Sequence, residues 1–234
     1  MYARLERVEP IARNIMTFWF RPEAPVDYIA GQFTELYLPH DNPDERGEKH
    51  WFTISSAPTD PLFSITTKFA SGRSSTYKQV LRRLRPGTRL QFAEPMGDFV
   101  LPKDQRIPLL FVAGSIGITP VHSMIQYLAD TGETRNIHLL YNVPHEDELA
   151  FGDLFERYAT SYTPVVSRPA AWQGETGRVD TPRILTELGA MPPDALIYLS
   201  GPEPMVERFN AELRDSGIPG RRLITDFFHG YRAV

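Results

Sequence analysis

Leu109-Leu-Phe-Val-Ala-Gly-Ser-Ile-Gly-Ile-Thr-Pro120 is the stretch on which the fold turns. Its first five residues form an unbroken apolar run, the pattern of a parallel strand buried on both faces. Glycines at 114 and 117 follow, and the chain then takes on helical spacing, with Pro120 suited to a first helical turn. A strand that runs through a glycine-rich turn into a helix leaves free N–H groups and a positive dipole end, where a pyrophosphate fits. The spacing differs from the six-residue dinucleotide fingerprint, and a turn serving only strand–helix packing remains the alternative at this point.

Downstream the same grammar repeats. Strand-like runs at Ile137–Tyr141, Pro164–Val166, Ala195–Leu199 and Arg222–Thr225 alternate with helical segments at Leu149–Tyr158, Thr181–Leu188 and Pro202–Ser216. This alternation predicts a doubly wound parallel α/β sheet. Upstream the grammar differs. Ile15–Phe20, Phe33–Leu38, Trp51–Ile54, Phe63–Thr67 and Arg89–Phe92 are short β-branched and aromatic runs separated by Pro, Gly and Asp. They predict an antiparallel β-barrel. A single helix, Ser75–Leu84, interrupts them with Tyr77, Val80, Leu81 and Leu84 on one face, and residues 39–49 read as a solvated, mobile loop. The fold class is therefore two-domain β + α/β: a barrel over 1–103, then a nucleotide-binding unit over 104–234.

Composition narrows the function. The 234 residues carry a net charge of −4, split as +2 before residue 104 and −6 after it, which argues against nucleic acid as a partner. With no cysteine, the chain can build no disulfide, thiolate metal site, cysteine nucleophile or cysteine-ligated iron–sulfur cluster. The six histidines show no ligand spacing, so no metal is assigned. No apolar run approaches the roughly 20 residues of a membrane span, and Met1–Arg7 lacks a signal-peptide core. A cytoplasmic location is expected.

Three further segments carry chemistry. Ser200-Gly-Pro-Glu-Pro-Met205 follows a parallel strand, at the carboxyl end where open α/β sheets hold ligands. His50-Trp-Phe-Thr-Ile-Ser-Ser56 combines two aromatics with three hydroxyl residues; alternation puts Trp51 and Thr53 on one face, His50 and Phe52 on the other. Gly72-Arg-Ser-Ser-Thr76 opens the helix and pairs an N-cap serine, Ser75, with the cation Arg73. An anion site and simple capping are both open there.

Taken in order along the chain, these segments resemble the ferredoxin–NADP reductase superfamily, whose members join a flavin barrel to a pyridine-nucleotide domain. Ala30–Phe33 is similar to the start of that barrel, and Gly177-Arg178-Val179 is placed as in many members. The resemblance implies FAD held by His50, Trp51, Phe52, Thr53, Thr67 and Lys68, with its pyrophosphate at Gly72, Arg73, Ser74, Ser75 and Thr76. It implies NADH or NADPH at Gly114, Ser115, Ile116, Gly117, Thr119 and Pro120, and at Gly201, Pro202 and Met205. Thr53, Ser200, Asp226 and Phe228 become the catalytic candidates: a hydroxyl near flavin N5, a residue beside the nicotinamide, an acidic partner, and an aromatic cover shared with Tyr231.

The chain departs from the family pattern at several positions. His50 replaces an arginine that pairs with flavin phosphate, as in the ferric reductase and NADPH oxidase branch, and Arg73 is the candidate to supply the missing charge. Phe52 replaces tyrosine, Thr53 serine, and Ser200 cysteine. After the second parallel strand the chain reads Tyr141-Asn-Val-Pro-His145, where NADPH-selective relatives carry serine and arginine; proline makes no charge-assisted contact to a 2′-phosphate, so NADH is favoured, with Arg168 and His145 left as alternative phosphate contacts. Lys78, Arg82, Arg83, Arg85 and Arg89 form the one dense basic cluster, either a solvated face or a dock for an acidic electron carrier. The expected function is hydride transfer from NAD(P)H to FAD, then electron delivery to a separate acceptor such as ferredoxin, flavodoxin, haem or iron, or quinone. The alternative is a flavin-binding regulatory or electron-transfer subunit with little NAD(P)H oxidation of its own.

Overall fold

The structure, a computed structural model, describes residues 1–70, 72 and 74–228, the last without its side chain. Six antiparallel strands make the first sheet: β1 (Tyr2–Ala12), β2 (Ile15–Pro22), β3 (Phe33–Tyr37), β4 (Lys49–Thr53), β5 (Phe63–Lys68) and β6 (Arg89–Phe92). Their order is β4-β3-β6-β1-β2-β5. An antiparallel bridge between Ile54 and Ile65 brings the two edges together and closes the barrel. Inward positions are filled by Leu5, Phe18, Phe20, Leu36, Phe63 and Phe92. Phe20, Phe63 and Phe92 meet as a ring trio with centroids 4.9–5.4 Å apart, a geometry favoured by the aromatic quadrupole.

β1 is the longest strand and has no counterpart among the runs read from sequence. Its outward residues Arg4 and Glu6 and its interior Pro10 mask an alternation that buries only Ala3 and Leu5. The helix α1 (Thr76–Arg82) buries Tyr77 and Leu81 over the barrel mouth. Residues 39–49 are tied down: Asp44 accepts from the Thr76 backbone N–H at 3.0 Å, and Thr76 Oγ1 meets His40 Nε2 at 3.0 Å.

The second sheet is parallel, in the order β10-β9-β8-β7-β11-β12. It comprises β7 (Leu109–Gly114), β8 (Ile137–Val143), β9 (Ser161–Val166), β10 (Glu175–Thr176), β11 (Leu196–Pro202) and β12 (Leu223–Phe228). Every residue of β7 is buried, and its side chains alternate between two layers. Leu109, Phe111 and Ala113 pack against α2 (Ile118–Thr131) and α3 (Gly152–Tyr158). Leu110 and Val112 pack against α4 (Thr181–Gly189) and α5 (Glu203–Asp215). Burying each such side chain stabilises the sheet by about 1.5–3 kcal/mol. Strand order reverses direction between β7 and β11, so the crevice at their carboxyl ends is the topological switch point where such sheets bind ligands.

Candidate functional site

A cleft of about 900 Å³ lies between the barrel and the end of β12, near the upper end of the roughly 300–1,000 Å³ range of cofactor sites. Its barrel wall is the whole of β4 together with Thr66, Thr67 and Lys68 of β5; Ser74, Ser75 and Lys78 close one end, and Ile116, Thr225, Asp226 and Phe227 come from the α/β unit. Trp51 is exposed, 48% accessible, with its ring edge-on to Phe33 at 5.3 Å. Phe52 is largely buried in the barrel core. Thr53 is also buried and at the cleft wall.

His50 and Phe52 lie on one face as alternation requires, both against Tyr77, at 4.0 and 6.1 Å. The His50 Nε2 is buried without a partner. Burial, reinforced by the nearby Lys78 and Arg46 cations, pushes this imidazole down to about 4, so it is neutral at physiological pH and brings no charge in place of arginine. Lys78 does. It turns away from the solvent face expected for it, its Nζ donating to Thr67 Oγ1 and, at 3.0 Å, to the Lys68 carbonyl. Arg89 also leaves the basic cluster, in a bidentate pair with Glu23 at 2.9 Å.

Ser75 caps α1, accepting from the Lys78 N–H at 3.2 Å, so capping is the role the structure shows for its hydroxyl. Thr76 is not at the cleft; its side chain and N–H are committed to residues 40–44. Gly72 borders a smaller neighbouring pocket with Arg82 and Arg83. Arg73, Tyr231 and the Phe228 side chain lie outside the described residues.

The nucleotide candidates cluster at the switch point. Gly114 and Gly117 are explained by close packing between the ends of β7 and β11. A Cβ on Gly114 would sit 2.5 Å from Met205 Sδ, and one on Gly117 would meet the Ser200 carbonyl carbon at 2.5 Å and Gly201 Cα at 2.6 Å. Ser115 adopts φ +50° at the head of the turn. Thr119 is buried, its hydroxyl donating to the Ile116 carbonyl at 3.1 Å, and Pro120 is buried in the first turn of α2. Gly201 is buried, with Pro202 and Met205 half-buried beside it. Ser200 is wholly enclosed and its hydroxyl has no protein partner.

Asp226 reaches the cleft from β12, paired in register with Ser200. Loss of water pushes its carboxyl up to about 6. Thr66, Lys78, Arg46 and Phe227 were missed by sequence reasoning. Thr66 carries a legible signal, its place in the β5 alternation, whereas Arg46 sits in a loop with none. Thr66 is one of four buried hydroxyls in a chain, Thr17–Thr66–Ser55–Ser64, linked at 2.7–2.9 Å. Among the described residues no group of three or more metal-ligating side chains converges, and no helix is long and apolar enough to cross a membrane.

The comparisons agree with this arrangement. Residues 111–210 match the oxidoreductase NAD-binding domain. The chain is 25% identical over 236 residues to the reductase component of propane 2-monooxygenase from Rhodococcus jostii (strain RHA1), covering 96% of this chain and 62% of that protein. It is 28% identical over 237 residues to ferredoxin–NADP reductase B of Sorangium cellulosum (strain So ce56), covering 94% of each. A crystal structure of a ferredoxin NADP+ reductase from Neisseria gonorrhoeae with bound FAD and NADP superposes with a TM-score of 0.78 at 18% identity, over 97% of this chain and 98% of that one. The chain spans between 56% and 62% of the length of the first three curated relatives it matches.

Proposed function

We propose that this chain is a member of the ferredoxin–NADP reductase superfamily and an FAD-dependent NAD(P)H oxidoreductase. It takes hydride from NADH in preference to NADPH and delivers electrons to a separate acceptor. The observation that carries this reading is the cleft itself. It is walled by the aromatic-hydroxyl strand β4, has Lys78 at one end, and is flanked by the switch-point crevice of a matched NAD-binding domain. Residues 1–103 then form the flavin unit and 104–234 the nucleotide unit.

The cleft fits FAD. An enclosed imidazole nitrogen on His50 lacks a partner, Trp51 offers an open ring face, and Lys78 supplies the cation that His50 does not. When bound, FAD supplies the conversion of a two-electron donor into one-electron output. The protein would bind and orient: Thr53 would offer a hydroxyl to the ring system, Lys78 would neutralise phosphate, and the walls would exclude water. Asp226 can exchange a proton at its carboxylate near neutral pH, because its carboxyl titrates at about 6.

NADH preference is supported by the residues after β8. Asn142 is spent on the Val165 carbonyl at 2.8 Å and the Val179 N–H at 3.4 Å, Pro144 has no donor, and Glu146 accepts from the N–H groups of Ala170 and Ala171. A 2′-phosphate would meet the Glu146 carboxylate there, against which the exposed Arg168, whose N–H donates to the Pro144 carbonyl at 2.7 Å, is the nearby cation.

Relatives described as reductase or electron-transfer components of oxygenases support a separate acceptor. The exposed Arg82 and Arg83 line a pocket beside the cleft, and with the exposed Arg85 they give a basic face that suits an acidic redox protein. Anaerobic stopped-flow reduction of the FAD-loaded chain by each nucleotide tests the reading. Bleaching of the flavin by NADH faster than by NADPH is expected. A protein that binds no flavin, or whose flavin neither nucleotide reduces, overturns the reading, and faster NADPH reduction overturns the preference.

A further inference from the structure

Three chain segments meet at one ammonium group. Lys68, the last residue of β5 and part of the flavin-side wall, extends its Nζ across the domain junction to Glu148 Oε2 at 2.7 Å, and it lies 3.4 Å from Ser115 Oγ. Both partners of the ion pair are shielded, with side chains 22% and 8% accessible. Ser115 heads the nucleotide turn in a left-handed conformation that a non-glycine residue adopts only when its surroundings hold it there. Its neighbour Ile116 is buried against Ile15 of the barrel and Ala150. The Arg13 N–H donates to the Asp147 carbonyl at 2.8 Å, pinning the segment that carries Glu148 to the barrel as well.

Sequence placed Lys68 among the cofactor-binding residues, but its charge is already matched by Glu148, and phosphate neutralisation is left to Lys78. An ion pair taken out of water gives little net stability; an apolar contact would join the two domains at lower cost. What this pair does is fix a distance. The nucleotide turn and the flavin wall must keep their relative position to a fraction of an ångström for the two reacting rings to stay in contact, and a displacement of about 1 Å costs on the order of 100-fold in rate.

We propose that Lys68 is a positioning residue: with Glu148 it clamps the Ser115 turn to the flavin wall and so sets the approach of the nicotinamide to the flavin. This rests on the proposed reduction of flavin by pyridine nucleotide. Its loss slows hydride transfer while leaving nucleotide affinity in place.

The test uses the full chain with K68M, K68R and E148Q. Flavin content and melting midpoint establish that each variant is folded. Stopped-flow reduction by NADH gives the limiting rate and the apparent Kd, and hydrogen exchange of the cofactor-free proteins reports on the amides of residues 115–119. K68M and E148Q are expected to lower the limiting rate by about 10- to 100-fold, to hold Kd within about threefold, and to speed exchange in the turn. K68R keeps the charge and recovers most of the rate. A raised Kd with an unchanged limiting rate in K68M overturns the proposal in favour of direct binding. Unchanged exchange at 115–119 overturns it whether or not the wild type is reduced. If NADH fails to reduce the wild-type flavin while the exchange difference is present, the clamp stands and the functional reading falls.

Discussion

Asp226→Asn should make the protein more stable at alkaline pH and no more stable at acid pH. The Asp226 carboxyl is partly shielded at the cleft wall, with no ion pair or side-chain hydrogen bond to it among the described residues, and its titration is pushed from 3.8 up to about 6. The charged form is thus the disfavoured one in the folded state. Below pH 3.8 the carboxyl is neutral both folded and unfolded, and nothing is lost. As pH rises through the interval to about 6, the unfolded chain ionises first and stability falls. Above that point the full cost applies, about two pKa units, or about 3 kcal/mol. Because the side chain retains some access to water, this is an upper value. Asparagine cannot ionise and removes the cost. Urea denaturation of the cofactor-free protein and of D226N at pH 4.5, 6 and 8 should give curves that separate by about 1 kcal/mol at the lowest pH and by up to about 3 kcal/mol at the highest. A separation that does not change with pH, or a variant less stable than wild type at pH 8, would refute the reasoning.

Other substitutions probe other parts of the site. Gly117→Ala places a methyl group against backbone atoms of Ser200 and Gly201, which cannot move aside as a side chain could; a loss of about 1–3 kcal/mol is expected by thermal denaturation. Lys78→Met removes the cation at the end of the cleft and should weaken FAD retention by about 10- to 100-fold, from the roughly 1.5–3 kcal/mol of a charged hydrogen bond, read by fluorescence titration. His50→Arg restores a permanent charge beside Tyr77 and should tighten FAD. A weakened affinity instead would show that the neutral imidazole is the better fit. Reversing Arg83 and Arg85 to Glu should cut electron transfer to an acidic carrier and flatten its salt dependence, with reduction of ferricyanide by NADH unchanged.

The legible part of the fold rested on periodicity. Leu109–Ala113 is apolar without interruption because β7 is covered on both faces, and no other local arrangement accounts for that pattern so simply. β1 was illegible for the opposite reason: Arg4, Glu6 and Pro10 obscure an alternation of which only Ala3 and Leu5 are inward. The site divided along the same line. Residues on a regular strand, such as His50 and Phe52, lay on the face that alternation assigned. Where a long side chain turns was not legible: Lys78 was read as surface and faces the cleft, and Lys68, read as a ligand, lines the cleft with its Nζ on Glu148.

By itself the sequence determined a barrel followed by a doubly wound sheet and the absence of any cysteine-ligated cluster, since these follow from local period and composition. Only the tertiary structure decided which groups share the cleft. Thr66, Lys78 and Asp226 come from three separate elements and converge on one space, and the same enclosure fixes their chemistry. Burial leaves His50 uncharged, pushes Asp226 toward neutrality, and encloses the Ser200 hydroxyl between neighbouring strands. Desolvation and packing at that point depend on elements far apart in the chain, and no local pattern of residues records them.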